Sequence, residues 1–154
     1  MADPLKYAVV ERERRYLVRG LPDGTAERHT IVDRYVDGTR LRLREMRGPD
    51  GTVTRKLTHK VRLSDGPGEI ACTNFYLDDA EWQALVQLPA RTLAKTRHIV
   101  ERDGVRVAVD ELADGTLLAE IDDGDTPATA VPAWLDVAED VSSDERWTGA
   151  HLAE

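Results

Sequence analysis

Hydrophobic and polar residues alternate along most of the chain, in runs that short turns separate. Alternation with a period of two is typical of a β-strand with one buried face. Asp-Gly pairs, which supply the positive φ angles of tight hairpin turns, occur seven times, and most of them lie between two alternating runs. The pattern predicts eight strands, over residues 9–18, 28–36, 39–46, 53–63, 69–77, 95–102, 105–111 and 116–122.

Few helices interrupt these strands. Asp78-Asp79-Ala80-Glu81 has the pattern of a capping box, in which the first and last of the four residues satisfy backbone donors at a helix start. Trp82, Leu85 and Val86 follow at helical spacing. The segments that begin at Pro132 and at Ser142 are predicted to start short C-terminal helices.

The order of these elements predicts one domain over residues 1–154, because no linker, repeat or low-complexity segment divides the chain. Successive strands joined by short turns predict an antiparallel meander. A sheet of this length usually closes, since exposed strand edges invite pairing with other chains. We therefore expect a mainly β (α+β) fold, a closed antiparallel β-tunnel or barrel of about eight strands with a few flanking helices.

Composition excludes several classes of protein. The net charge of −8 argues against a nucleic-acid-binding domain, which usually carries a basic face. No apolar run approaches the roughly 20 residues that cross a membrane, and the N-terminus has no apolar stretch of the signal-peptide kind. The single cysteine, Cys72, excludes an internal disulfide framework, and a cytoplasmic location is the simplest expectation.

Charged residues are sorted by sign on the predicted strands. Residues two apart on a strand share a face, and this rule groups Glu11, Glu13 and Arg15; Arg40, Arg42 and Arg44; Lys56, Thr58, Lys60 and Arg62; Lys95 and Arg97; and Glu120 and Asp122. For one strand, a solvated outer face explains such a row better. Five strands fit that explanation less well, because ordinary surfaces mix the two signs.

A row of side chains with the same charge repels itself unless a group of the opposite charge binds to it. Arginine suits bidentate contacts to phosphate, and paired carboxylates match the oxygen ligands that Mg²⁺ or Mn²⁺ prefers. Basic and acidic strands together therefore predict a site for a polyphosphate and a divalent metal ion.

The same residues resemble the CYTH superfamily, the triphosphate tunnel metalloenzymes. The N-terminal strand Val10-Glu11-Arg12-Glu13-Arg14-Arg15 is similar to the family's ExExK strand. The likeness continues in order through 31–35, 39–44, 56–60, 95–97, 109–110 and 118–122, and it extends to the tail at 139–147.

This resemblance implies a metal-dependent triphosphatase that hydrolyses inorganic triphosphate or an organic triphosphate in a basic tunnel. The implied phosphate ligands are Arg15, Arg40, Arg42, Lys60, Lys95 and Arg97. The implied ligands of Mg²⁺ or Mn²⁺ are Glu11, Glu13, Asp110, Glu120 and Asp122, and the implied catalytic residues are Arg15 and Glu13. Further candidates are Arg44, Lys56, Arg62 and Glu69.

The chain departs from the family pattern at three positions. Arg15 replaces a lysine, Ala71 replaces the second member of an acidic pair that begins at Glu69, and Asp122 is shorter than the usual glutamate. The first two changes leave open a binding module for triphosphate or polyphosphate with little turnover, and an adenylate cyclase of the same superfamily is a further alternative. The expected partner is a small molecule with a triphosphate group, and apolar outward positions fit either helices or a second subunit of a homodimer.

Overall fold

The structure is a computed structural model, and it describes residues 2–154. Nine strands form one antiparallel sheet. They are β1 (Val9–Val18), β2 (Thr25–Val36), β3 (Leu41–Arg47), β4 (Val53–Arg62), β5 (Glu69–Tyr76), β6 (Ala90–Arg102), β7 (Val105–Leu112), β8 (Leu117–Asp122) and β9 (Val137–Asp140).

Eight of these strands close into a barrel. Hydrogen-bonded neighbours follow the order β5-β4-β3-β2-β6-β7-β8-β1, and β1 pairs again with β5 to complete the circle. The first half of β1 makes this closure, whereas its last residues, Tyr16 to Val18, pair with β9. The predicted mainly β barrel is therefore confirmed.

The predicted simple meander is wrong in two places. β1 pairs with β8 and β5 instead of β2, and β2 pairs with β6. In this arrangement β1 lies between the two strands that would otherwise form the edges of an open sheet, so it removes both edges. The alternation of residues defines each strand but does not define which strand lies beside it.

Turn chemistry fixes the tightest hairpin of the barrel. Asp103 and Gly104 form the two-residue connection between β6 and β7, with φ angles of 54° and 75°. Positive φ at both positions is the geometry of a type I′ turn, whose twist matches that of the flanking strands. β6 itself begins at Ala90, earlier than predicted, because residues 90–94 pair with the end of β2.

The helices are few and short. In α1 (Asp79–Leu85) both bonds of the predicted capping box are present, from the Glu81 amide to Asp78 and from the Asp78 amide to Glu81. A 3₁₀ helix (Glu145–Trp147) and α2 (Gly149–Leu152) follow the start that was predicted at Ser142. The helix predicted at Pro132 is absent, since that segment forms a turn before β9.

Apolar side chains pack mainly on the outside of the barrel. One cluster joins β1, β7 and β8 to the turn before β9, and it contains Tyr16, Val18, Val107, Val109, Ala119, Ile121 and Leu135. A second cluster places Trp82 of α1 on Val36 and Leu43. Burial of such side chains stabilises a fold by about 1.5–3 kcal/mol each, so the outer surface can hold the barrel together while polar groups occupy its interior. Within residues 2–154 no helix has the length and apolar character to cross a membrane.

Candidate functional site

The middle of the barrel encloses a cavity of about 150 Å³, here called the inner cavity. Strand alternation turns its lining side chains inward. They are Glu11, Glu13, Arg15, Tyr35, Arg42, Arg44, Lys56, Thr58, Lys60, Asn74, Lys95, Arg97 and Glu120, together with Gly149 of α2. Seven of these side chains are cationic and three are carboxylates, so the lining carries an excess of positive charge inside a protein that is acidic as a whole.

Two buried carboxylates fix part of this positive charge. Asp33, with no exposed surface, accepts hydrogen bonds from Nε and Nη2 of Arg44 at 2.6 and 2.8 Å. Asp110, 1% exposed, accepts from Nε and Nη2 of Arg97 at 2.7 and 2.8 Å, and its oxygen lies 2.7 Å from Nζ of Lys95.

The ionised form of both carboxylates is strongly favoured. Burial by itself would raise the pKa of Asp33, but Arg44 and Arg42 lower that pKa well below its usual value. The pKa of Asp110 is likewise lowered, because Lys95 and Arg97 outweigh the effect of burial. These two carboxylates therefore hold three cationic side chains in fixed positions.

Three of the other four cations of the inner cavity, Arg42, Lys56 and Lys60, lack such a partner, whereas Arg15 pairs with Glu13. Within residues 2–154, the ion pairs include neither Lys56 nor Lys60. Arg42 is buried, donates from Nη2 to Thr58 at 3.0 Å, and lies 3.9 Å from an Asp33 oxygen that Arg44 already occupies.

The pKa values of these side chains are lowered, partly because other cations lie nearby. Burial, with a contribution from Arg44 and Arg42, lowers the pKa of Lys56 to about 8. Burial and Arg42 lower the pKa of Lys60, and burial and Arg44 lower the pKa of Arg42. A bound polyanion would relieve this mutual repulsion.

Three carboxylates also line the inner cavity. Glu13 binds Nη2 of Arg15 at 2.6 Å, and Glu120 lies 3.3 Å from Arg97 and 3.8 Å from Arg15. In the part of the chain that the structure describes, no three His, Cys, Asp or Glu side chains are grouped closely enough to hold a metal ion alone. Mg²⁺ is usually bound by one or two carboxylates together with substrate phosphates and water, so Glu11, Glu13 and Glu120 fit a metal ion that arrives with a phosphate ligand.

The structure gathers most of the site residues that the sequence predicted. Ten of them line the inner cavity: Glu11, Glu13, Arg15, Arg42, Arg44, Lys56, Lys60, Lys95, Arg97 and Glu120. Asp110 lies behind this lining, where Lys95 and Arg97 occupy its oxygens. Its geometry is that of a residue that orients cations and not that of a free metal ligand.

Arg40 and Asp122 are not brought into the inner cavity. β3 begins at Leu41, so Arg40 belongs to the preceding turn and its side chain is exposed. An oxygen of Asp122 accepts from the backbone amides of Arg12 and Gly124 at 3.0 and 2.9 Å. A carboxylate that caps the end of its own strand is not available to a metal ion inside the barrel.

On β5 the inward positions differ from those that the family resemblance implied. Glu69 lies on the outer surface and pairs with Arg12 at 2.9 Å, and Ala71 shares that outward side of the strand. Asn74 and Cys72 point inward, Asn74 into the inner cavity and Cys72 beside Lys60. Ala71 therefore removes no carboxylate from the inner cavity.

Sequence reasoning missed Asp33, Tyr35 and Asn74 as residues of the site, and it placed Thr58 on the charged face of its strand without giving it a role. Asp33 and Tyr35 are two apart on β2, and this spacing was a usable signal for a shared inward face. Thr58 accepts from Arg42 and donates to Asn74 at 2.6 Å, so it links two strands. The identity of these cross-strand partners depends on register, which the sequence did not reveal.

A second and larger cavity of about 300 Å³, here called the outer cavity, adjoins the inner one at the α2 end of the barrel. The two cavities share Arg15, Tyr35, Arg42, Lys60 and Gly149 as wall residues. The outer cavity adds Arg40, Arg62, Arg91 and His151, as well as apolar side chains such as Leu41 and Ile70.

Comparison with solved structures identifies the fold. The chain is similar to a protein described as the inorganic triphosphatase NE1496, with 23% identity, a TM-score of 0.59 and coverage of 93% of each chain. A further structure of NE1496, described as a hypothetical protein, gives 22% identity and a TM-score of 0.58 over 93% of this chain and 97% of that one. A conserved hypothetical protein from Pyrococcus furiosus gives 16% identity and a TM-score of 0.53 over 79% of this chain and 81% of that one.

No protein-family model matches the chain, and no curated protein matches it either. The similarity to solved structures, the closed eight-stranded barrel and the inward-facing charges nevertheless agree with one another. The chain has the same fold as the inorganic triphosphatase NE1496, in agreement with the fold that its resemblance to the CYTH superfamily implied.

Proposed function

We propose that the protein is a metal-dependent triphosphatase that hydrolyses inorganic triphosphate or an organic triphosphate. The observation that carries this proposal is the set of three cations, Arg42, Lys56 and Lys60, that face an enclosed cavity without a carboxylate of their own. A linear triphosphate supplies several negative charges along a short chain, which is the charge distribution that such a cavity favours. A binder of neutral sugars or amino acids would not require this excess of positive charge.

The fixed cations suit the transition state of phosphoryl transfer. Asp33 holds Arg44, and Asp110 holds Arg97 and Lys95, before any ligand arrives. Charges that are already in place need no reorganisation when negative charge develops on the reacting phosphate, which is the main source of catalysis in such sites. In the reaction, water attacks the terminal phosphorus, the bridging P–O bond breaks, and diphosphate leaves with the electron pair.

Glu11, Glu13 and Glu120 are the residues that would hold Mg²⁺ or Mn²⁺. When it is bound, the metal ion would supply charge neutralisation and Lewis-acid polarisation of phosphate oxygens. Arg15 holds Glu13 at 2.6 Å and so sets the direction of that carboxylate. An arginine side chain does not give up its proton in proteins, so Arg15 acts by binding and positioning and not as a base.

The experiment that tests this proposal is an assay of phosphate release with inorganic triphosphate, ATP and thiamine triphosphate, each with Mg²⁺ and with Mn²⁺. Glu11→Gln and Glu13→Gln should lower turnover at least about 10²-fold, because the amide keeps the size of the side chain and loses the charge that a metal ion needs. Glu139→Gln is the matched control, since Glu139 is exposed on β9. Wild-type rates in both inner-cavity variants would contradict the metal assignment.

A binding module with little turnover is the second candidate, and one contact favours it. The short ion pair between Arg15 and Glu13 occupies a carboxylate oxygen that a metal ion would otherwise bind. Such a protein would gain thermal stability with triphosphate but would release no phosphate. A ligand at about 100 times its dissociation constant adds about 2.7 kcal/mol to the free energy of unfolding, so thermal denaturation detects binding even where turnover is absent.

A further inference from the structure

Two lysines of the inner cavity have side-chain nitrogens without a protein partner. In the described chain, neither Lys56 nor Lys60 forms an ion pair or a side-chain hydrogen bond. Both belong to β4 and share its inward face, four residues apart. The chain has four lysines, and the other two provide a comparison. Lys95 lines the same cavity but pairs with Asp110 at 2.7 Å, and Lys6 is exposed in the segment before β1.

An arginine with an unused donor lies between these two lysines. In the register of β3 and β4, Arg42 is opposite Thr58, and Thr58 is midway between the two lysines. Nη2 of Arg42 donates to Thr58, but Nε is buried and has no hydrogen-bond partner in the described chain. A phosphate group held by Arg42 would therefore have a lysine amine on either side of it along β4.

Both lysines lose their protons more readily than an ordinary lysine does. Burial, Arg44 and Arg42 together lower the pKa of Lys56 to about 8. Burial and Arg42 also lower the pKa of Lys60. The groups that oppose these shifts lie on β1 and β5, and they are Glu11, Glu13 and Cys72. At pH 7.5 about a quarter of Lys56 is the unprotonated, nucleophilic amine, against about one in a thousand for an ordinary lysine.

We propose that Lys56 and Lys60 are a modification site for small acyl phosphates, which transfer their acyl group to either amine. The inner cavity attracts the phosphate part as it attracts the phosphates of a triphosphate, and in this respect the inference rests on the proposed function. The amine nitrogen attacks the acyl carbon, the bond from that carbon to the phosphate oxygen breaks, and inorganic phosphate leaves with the electron pair. The nitrogen then loses a proton to the solvent, and a neutral amide remains.

Acylation would remove positive charge from the triphosphate site. An acylated lysine is neutral and no longer forms a charge-assisted hydrogen bond with phosphate. The modified protein should therefore bind triphosphate about tenfold more weakly, the effect of one such bond. In this way the supply of acyl phosphates would regulate the occupancy of the inner cavity by triphosphate.

Incubation with acetyl phosphate at pH 7.5, followed by digestion and mass spectrometry, measures the acetylation of each lysine. The pair Lys56 and Lys60 should be acetylated at least about tenfold more than Lys6 or Lys95. This is less than the roughly 200-fold ratio of unprotonated amine, because a less basic amine is a weaker nucleophile and a bound phosphate raises its pKa again. Added triphosphate, which competes for the inner cavity, should suppress acetylation of the pair and leave that of Lys6 unchanged.

Arg42→Ala tests whether the phosphate directs the reaction. It should lower acetylation of the pair about tenfold, because it removes the donor that holds the phosphate and a cation that lowers the pKa of both amines. Arg12→Ala is the matched control and should be acetylated as the wild type is, since Arg12 faces outward and pairs with Glu69. Thermal denaturation with and without triphosphate, on each protein before acetylation, reports folding and triphosphate binding separately.

The other outcomes overturn the inference. If acetylation is even over the four lysines or highest at Lys6, the pair is not a modification site, and the proposed function stands as long as triphosphate raises the melting temperature. If either added triphosphate or Arg42→Ala leaves acetylation of the pair unchanged, the phosphate does not direct the reaction. If triphosphate does not raise the melting temperature of the wild type, the proposed function fails and the inference fails with it.

Discussion

Replacement of Asp110 by asparagine separates two roles for this residue. The family resemblance implies a metal ligand, whereas the structure places the carboxylate against Arg97 and Lys95 at 2.7–2.8 Å. As a metal ligand in an empty site, Asp110 would be repelled by its acidic neighbours, and Asp110→Asn would leave the fold as stable as before or slightly more stable. As the counter-ion of two buried cations, it is needed for folding.

The magnitude follows from the burial of the group. Removal of one partner of a buried ion pair typically costs 3–5 kcal/mol, about what we expect here, because an uncompensated charge remains inside the protein. For a protein of this size, 1 kcal/mol corresponds to about 2–4 °C in the melting temperature, so Asp110→Asn should lower it by roughly 6–20 °C. Triphosphate should recover part of this loss, since it returns negative charge to the same cations.

The assay is thermal denaturation with and without triphosphate, with Asp136→Asn as the matched control. Asp136 pairs with Arg19 at 2.7 Å on the surface, where both side chains are more than half exposed, and such pairs contribute only about 0–1 kcal/mol. An unchanged or higher melting temperature of Asp110→Asn would refute the assignment of Asp110 as a structural counter-ion.

The remaining predictions concern pH and the C-terminal segment. Affinity for triphosphate should fall as the pH rises through about 8, because Lys56 is protonated below its lowered pKa and loses its charge above it; titration calorimetry at pH 7 and 9.5 checks this, and Lys56→Arg should reduce the fall. Gly149→Ala should lower the melting temperature by about 2–12 °C, the usual cost of overpacking, because the new methyl group would lie 1.9 Å from the Tyr35 hydroxyl oxygen. Tyr35→Phe in the Gly149→Ala background should recover part of that loss, and no recovery would show that the close contact is not the cause.

Alternation along single strands predicted much of the site. It assigned Arg42 and Arg44 to one face of their strand, and in the structure that face lines the inner cavity. The same rule failed two residues earlier, because it placed Arg40 on the same face. The strand begins at Leu41, and a turn residue does not follow the alternation. The rule is therefore reliable within a strand and not at its ends.

The sequence did not predict which strands pair with each other or in which register. Asp33 and Asp110 receive their roles from cations on neighbouring strands, through the registers Asp33 to Arg44 and Arg97 to Asp110. A single sequence reveals the face on which a carboxylate lies but not the side chain that lies opposite. The four-residue strand β9 was missed for a related reason, since it is defined by its pairing with β1 and not by an alternating pattern of its own.

The central claim is that the phosphates are bound by the cations of the inner cavity that have no carboxylate of their own. The affinity of Arg42→Ala for triphosphate tests it most directly. Arg12→Ala is the natural comparison, because Arg12 is on the same barrel but faces outward and pairs with Glu69 and Asp125. Loss of a charge-assisted hydrogen bond to phosphate should weaken binding by Arg42→Ala about tenfold or more, whereas Arg12→Ala should bind as the wild type does. Equal affinities of the two variants, or unchanged binding by Arg42→Ala, would contradict the account.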